Sequence, residues 1–395
     1  MKLPENKTVF VAAGLMSGTS MDGIDSALLI TDGERQIEHL GNYSLQYEPK
    51  FRVALKKCER AVWESKGNLD KAKEALEFDQ IITRSTDLHA QAIQGLLKIT
   101  GHKAADVDII GYHGQTLFHC PDAHLTIQAG DGQRLADQTG IAVVYDFRSN
   151  DIKHGGQGAP LAPLYHQALA IKNSLVPVVV ANCGGIANVT IIGAKPEDLC
   201  AYDCGPGNTL IDRFVQFKIG QNMDKDGLFG SKGSVNKSIL QTLQRKAIIL
   251  KNGENYLDKK SPKSLDVNDI TLIAEAQALS LEDGCATLEA FTAQCIVESL
   301  DTLSVPVPNT WVLAGGGWKN KVINRELEVR LRQKLGSDIH IQHADQLDWS
   351  SQYMEAQVFA YLAVRSLRKM PLSLPSTTGV SEPLTGGRFA APTNV

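Results

Sequence analysis

Two apolar runs of strand length, residues 8–13 and 24–30, are separated only by Gly14-Leu15-Met16-Ser17-Gly18-Thr19-Ser20-Met21-Asp22-Gly23. A chain that turns back between two apolar runs over so short a stretch makes a β-hairpin, and the tip of this one suits an anion. Glycines let backbone N–H groups approach a phosphate with no Cβ in the way, and the hydroxyls of Ser17, Thr19 and Ser20 add neutral donors. Asp22 cannot bind phosphate itself, so its natural role there is holding a magnesium ion, directly or through water. The same stretch would also serve as an ordinary Gly/Ser turn with a surface aspartate. Neither a P-loop nor a dinucleotide fingerprint is present.

Residues 36–47 extend the hairpin into a three-strand meander, and helical spacing follows over residues 50–99, with Asp70 as an N-cap. Residues 107–112 read as a buried strand ending in His113-Gly114-Gln115-Thr116, a polar cluster at a strand's C-terminal edge, where ligands gather in open α/β sheets. A helix at 131–138 and a strand at 141–145 deliver Asp146-Phe147-Arg148, whose charges pair with each other or contact a ligand. The loop 149–163, rich in Gly and Pro, then separates two halves of similar character. In the second half, residues 176–181, a turn from Asn182 to Asn188 holding Gly184 and Gly185, and residues 189–193 repeat the layout of the opening hairpin. A topological repeat of this kind predicts two related domains, each offering a glycine hairpin to a shared cleft.

Asp203-Cys204-Gly205-Pro206-Gly207-Asn208 is a further glycine loop, feeding a helix at 209–217 whose N-terminal dipole favours anions. Asp203 stands there as a base or as an N-cap. An amphipathic helix spans 288–300. Residues 311–313 form a short strand running into Gly315-Gly316-Gly317 and a helix at 320–333. Three successive glycines let a flat group such as adenine lie on the backbone, or make a tight strand-to-helix turn. On the last helix, 350–367, Glu355 shares a stripe with Phe359 and Leu362, as a ligand contact or a buried arginine's partner.

At 395 residues two domains are expected. With 43% apolar and 21% charged residues and a net charge of -4, the chain has no basic excess for nucleic acid or a membrane surface. No run reaches transmembrane length and the N-terminus lacks a signal-peptide core, so a cytoplasmic protein is expected. The seven cysteines are scattered and odd in number, as reduced thiols would be. His113, His119 and His124 match no zinc spacing.

The stretches GLMSGTSMDGID, DFRSNDIKHGGQGAPL, the Gly184 turn, DCGPGN and Gly315-to-Lys319 together resemble the anhydro-N-acetylmuramic acid kinases, of the sugar kinase, actin and chaperone ATPase superfamily. The resemblance covers nearly the whole chain. It implies an α/β fold of two actin-like (ribonuclease H-like) domains with mixed sheets flanked by helices and a nucleotide cleft between them. The domains are set at 1–148 and 149–395, with the last ~25 residues packing back on the first. It implies ATP and Mg²⁺ as cofactors, 1,6-anhydro-N-acetylmuramic acid as substrate and a homodimer. Asp203 becomes the catalytic base for an attacking water. Nucleotide contacts fall on Gly18, Thr19, Ser20, Met21, Asp22, Gly23, Ile24 and Asp25, on Gly184, Gly185, Gly205, Gly207 and Asn208, and on Gly315, Gly316 and Gly317. The sugar falls to His113, Gln115, Asp146, Gln157 and Glu355. Asp22 is placed on the metal, with Asp25 its rival. A plain sugar kinase without bond hydrolysis, or a chaperone- or filament-type ATPase, would share these parts. Residues 222–263 and 388–395 are polar or unlike the family's ending, and are expected to lie away from these motifs.

Overall fold

The computed structural model describes residues 7–18, 21–74, 77–250, 252–303 and 305–393. Its strands are β1 (Phe10–Ser17), β2 (Gly23–Thr31), β3 (Ile37–Gln46), β4 (Ile109–Cys120), β5 (Leu125–Ala129) and β6 (Val143–Tyr145). There follow β7 (Val178–Cys183), β8 (Ile186–Ile192), β9 (Leu199–Pro206), β10 (Thr310–Ala314), β11 (His340–His343) and β12 (Arg388–Ala390). They form two mixed sheets, in the orders β12-β6-β4-β1-β2-β3 and β11-β10-β7-β8-β9, with β5 paired to β4.

In each sheet an antiparallel meander of three strands is extended from its first strand by two parallel ones. β1 pairs antiparallel with β2 and parallel with β4, which lies parallel to β6. β7 does the same with β8, β10 and, through β10, β11. This is the ribonuclease H-like order of actin-like domains, present twice, and the hairpin repeat in the sequence is its signature.

The chain folds as two compact units, residues 1–174 with 352–395, and residues 175–351. The divisions fall elsewhere than the boundary read at 148/149. The loop 149–163 is not a linker: it holds a helix, Ser149–Lys153, and its Asp151 accepts from Gly158 N and the Thr378 hydroxyl, both at 2.6 Å. The next helix, Pro163–Lys172, packs on β3, where Lys172 Nζ donates to Ile37 O at 2.7 Å. The returning C-terminal segment is also longer than ~25 residues, because the helix Met354–Leu367 lies on β1, β2 and β4. That helix approaches so closely that a Cβ on Gly14 would run into the Ala356 carbonyl, and one on Gly111 into that of Phe359. In the second unit the helix Leu281–Ser299 is enclosed by the helices Thr209–Ile219 and Lys321–Leu335 and by β9.

Three local readings change. β4 does not stop at Tyr112, so His113 to Thr116 lie within the strand. Gly114 takes φ +76°, and β4 continues into a hairpin with β5. Asp203 sits in β9, not in a loop. Asn68, not Asp70, caps the helix Leu69–Glu74, its side chain accepting from Lys71 N at 3.1 Å.

Candidate active site

In the first unit the hairpin tip between β1 and β2 is braced from below. Ser17 Oγ donates to Gln115 Oε1 at 2.6 Å, and Gln115 Nε2 donates to Gly18 O at 3.2 Å. With the single Ser17 proton so placed, the Tyr47 hydroxyl 3.1 Å away is the donor to Ser17; burial pushes Tyr47 up to about 12 and keeps it protonated. Ser17 is buried and its hydroxyl points inward, contrary to its reading as a phosphate donor. Gln115, fully buried, spends its amide on the hairpin. Met21, at φ +51°, and Ile24 bury their side chains, so these positions can offer a ligand only backbone groups. A Cβ on Gly23 would meet Leu45 O at 2.5 Å. Thr19 and Ser20 lie outside the described residues.

Asp22 is exposed at the tip, while Asp25 is half-buried, accepting from the Ser44 hydroxyl with Gln352 Nε2 3.5 Å away. Burial raises the Asp25 carboxyl above its ordinary range, the bonds from Ser44 and Gln352 oppose this, and the charge of Asp22 adds to it. Two carboxylates that repel each other at a hairpin tip form a donor set a hard divalent cation would favour. Magnesium takes one or two carboxylates and completes its shell with water and phosphate, so the residues fit it. Among the described residues no group of three or more His, Cys, Asp or Glu is arranged to hold a metal.

His113 packs on Phe359 with ring centroids 4.5 Å apart. Its Nδ1 is 2.8 Å from Gly114 O, which can only accept, and its Nε2 is 3.0 Å from Arg148 Nε, which can only donate. The ring is therefore neutral with its proton on Nδ1. Burial first, then the Arg148 charge, hold it well below its ordinary value. Arg148 also donates to Gly158 O at 2.6 Å, so it is spent on His113 and the loop. Glu355 is raised by burial, opposed by Arg148 and reinforced by Asp25. Its side chain nevertheless reaches solvent, which makes it a recessed group rather than a sealed one.

His113 and Asp146, at φ +57°, line one cavity of about 420 Å³ together with Gln128, Tyr145 and Arg388. Gln115, Gln157 and Glu355 are not among its walls. Gln157 is tethered through its N–H to Thr378 O at 2.7 Å. The tail expected to lie apart supplies β12, where Arg388 pairs with Tyr145 beside Asp146. His119 and His124 are engaged separately, by Thr126 Oγ1 at 3.1 Å and Ile152 O at 3.3 Å.

In the second unit the glycine segments converge. Gly184 O accepts from Asn208 N at 2.8 Å and Asn208 Nδ2 at 2.9 Å; Gly185 O accepts from Gly207 N at 2.8 Å and the Thr209 hydroxyl at 2.7 Å. The N–H groups that lead into the helix Thr209–Ile219, those of Gly207, Asn208 and Thr209, are thus taken by the Gly184 turn instead of standing open to an anion. Gly207 is glycine because a Cβ would run into Gly184 O, and a Cβ on Gly205 would meet Cys295 at 2.9 Å. In the triple glycine, a Cβ on Gly317 would meet Cys183 Sγ at 2.5 Å and Asn208 Nδ2 at 2.6 Å, and Gly315 takes φ +95° against Asn182. Only Gly316 of the three faces open space. One glycine therefore faces open space, and two exist for close packing.

Asp203 is not an N-cap; Asn208 occupies that position. Its Oδ2 accepts from Leu265 N at 2.9 Å, its N–H donates to Lys263 O at 3.1 Å, and its carbonyl accepts from the Tyr256 hydroxyl at 2.7 Å. Tyr256 and Lys263 come from the region expected to lie apart from the motifs, and Leu265 lies just beyond it. Tyr256 and Lys263 were missed because Asn255 to Ser264 has no apolar period to mark it as buried. Asp212, in the first turn of the helix Thr209–Ile219, was missed as well; burial pushes it up to about 7.

Two sheets of ribonuclease H-like order, each a meander extended by parallel strands, define an actin-like fold of the sugar-kinase type. Residues 10–391 match the family model for anhydro-N-acetylmuramic acid kinase. A protein of that name from Methylorubrum populi is 40% identical over 389 residues, spanning 96% of this chain and 99% of its own. One from Brucella abortus is 42% identical over 379 residues, spanning 95% and 97%. The chain belongs to the anhydro-N-acetylmuramic acid kinase family, and is an ATP-using phosphotransferase with an alcohol acceptor. No described helix is long and apolar enough to cross a membrane.

Proposed function

We propose that the chain converts 1,6-anhydro-N-acetylmuramic acid, ATP and water to N-acetylmuramic acid 6-phosphate and ADP. The support is the family together with one observation: Asp203 is held by its carboxyl, N–H and carbonyl while capping no helix. A carboxylate so fixed suits a general base, which takes a proton from water within hydrogen-bond reach. Water adds to the anomeric carbon, its proton passing to Asp203. The bond from that carbon to the bridge oxygen breaks, and the freed oxygen takes the γ-phosphoryl group from ATP. Positioning and charge stabilisation are the remaining work, assigned to the backbone of Gly18 and residues 21–23 and to the open face at Gly316. Magnesium, held by Asp22 or Asp25, would neutralise phosphate charge. His113, Asp146 and Glu355 are assigned to the sugar, with Gln115 supporting the hairpin. A homodimer, a cytoplasmic location and a place in cell-wall sugar recycling complete the reading.

Turnover in ¹⁸O-labelled water tests it. Label must appear on the anomeric oxygen in the first turnovers, before exchange at that carbon. Phosphorylated product without label would leave a plain sugar kinase, and sugar-independent phosphate release would point to a chaperone- or filament-type ATPase.

A further inference from the structure

Both main-chain polar groups of Asp203 and one carboxyl oxygen are held by residues 256–265, through the contacts with Tyr256, Lys263 and Leu265. Within this segment one side chain, Lys263, ties one end to the other. Lys263 is fully buried at 0% exposure; its Nζ donates to Tyr256 O at 3.2 Å and lies 4.5 Å from the centroid of the Tyr256 ring.

A buried ammonium carries a desolvation penalty of several kcal/mol, and packing alone is commonly served as well by an apolar side chain of similar volume. The groups facing Lys263 are Asp203 and Cys204 on β9, Cys295 on the helix Leu281–Ser299, and Tyr256 and Asp258 within its own segment. Burial pushes the Cys204 thiol up to about 12 and Cys295 well above its ordinary value, so both are neutral. Burial holds Tyr256 protonated too. Asp258 is exposed, where water screens it, which leaves Asp203, 7% exposed, as the buried carboxylate opposite the lysine.

We propose that Lys263 is the positioning residue for the base: its ammonium ties Tyr256 to the 263–265 segment and, through both, fixes Asp203. The inference rests on the proposed role of Asp203. Its charge also favours the ionised form of that carboxylate, so the acid limb of the pH–rate profile carries its signature.

Lys263→Met removes the charge at similar volume, and Tyr256→Phe removes only the hydroxyl that holds Asp203 O. In Lys263→Met, kcat should fall about tenfold or more with the KM for ATP nearly unchanged, and the acid limb of kcat/KM should move up by about half a unit to one unit. In Tyr256→Phe, kcat should fall while the acid limb stays in place. A folded Lys263→Met with wild-type kcat, or with reduced kcat and an unmoved acid limb, would overturn the inference. If Lys263→Met does not fold, Tyr256→Phe decides: reduced kcat at a wild-type melting temperature supports the inference, and wild-type kcat overturns it. A wild type that turns over the anhydro-sugar beside such negative variants refutes Lys263 alone; a wild type with no turnover refutes the reading of Asp203 as well.

Discussion

Acidification should act on the two compact units in opposite directions. The unit of residues 1–174 and 352–395 buries His89, His113 and His166 and half-buries His119. Burial holds His89 and His166 down to about 4, His119 to about 3, and His113 well below its ordinary value. These imidazoles are neutral when folded but gain a proton below about pH 6.5 when unfolded. A depressed folded value means that the unfolded chain binds more protons, so this stability is present above pH 6.5 and is lost as pH falls towards 4 and 3. With folded and unfolded values of about 4 and 6.5, acidification to pH 5 costs about 2 kcal/mol per histidine. His89, His119 and His166 together make about 6 kcal/mol, and even half of that is a large share of a domain's stability.

The unit of residues 175–351 behaves the other way. Burial pushes Asp212 up to about 7, and pushes Glu289 up to about 8 with Asp224 adding to it and Asn320 opposing. Folded values raised above the unfolded ones mean that the folded state holds the extra proton. Their contribution is complete below about pH 4 and is lost as pH rises through 7 and 8. From pH 7.5 to 5 the two carboxyls should add about 5 kcal/mol, or about half that if the buried groups relax. Hydrogen exchange read peptide by peptide in urea at pH 7.5, 6 and 5, corrected for intrinsic exchange, resolves the two units. The unfolding midpoint should fall with pH for peptides of the first unit and rise or hold for those of the second. Midpoints moving together, or a first unit unmoved at pH 5, would refute the reasoning.

Asp203→Asn should lower kcat by roughly 10²–10⁴-fold and leave the KM for ATP within a few-fold, as initial rates would read. Weakened ATP binding at near-normal turnover would contradict its role as base. Gly316→Val should raise the KM for ATP with little change in melting temperature, because its Cβ enters open space, whereas Gly317→Ala should destabilise the fold against Cys183 and Asn208. Gly111→Ala drives a Cβ into the Phe359 carbonyl, and overpacking against backbone should cost about 1–3 kcal/mol, roughly 2–12 °C in melting temperature for a domain of this size. Calorimetry that finds Gly111→Ala as stable as wild type would remove the close approach of β4 and the helix Met354–Leu367 as its cause.

What could be read from the sequence follows from how each signal arises. Meander strands such as β1, β2, β7 and β8 are buried and apolar, so their runs stand out and the repeated order follows from them. β5 and β12 are short and only partly buried, so no apolar run marks them, and the place of β12 is set by a partner far along the chain. The glycines mislead in a more instructive way. Gly315, Gly316 and Gly317 look alike in sequence, yet two are required by Cys183, Asn182 and Asn208, and only one faces open space. The same division runs through the site as a whole. Asp203 was legible because its motif surrounds it, whereas Tyr256 and Lys263 lie more than fifty residues on and bond to its main-chain carbonyl and N–H, contacts that leave no local pattern in the sequence. A motif locates the group that does the chemistry; the groups that hold it still become visible only when the chain has folded back on itself.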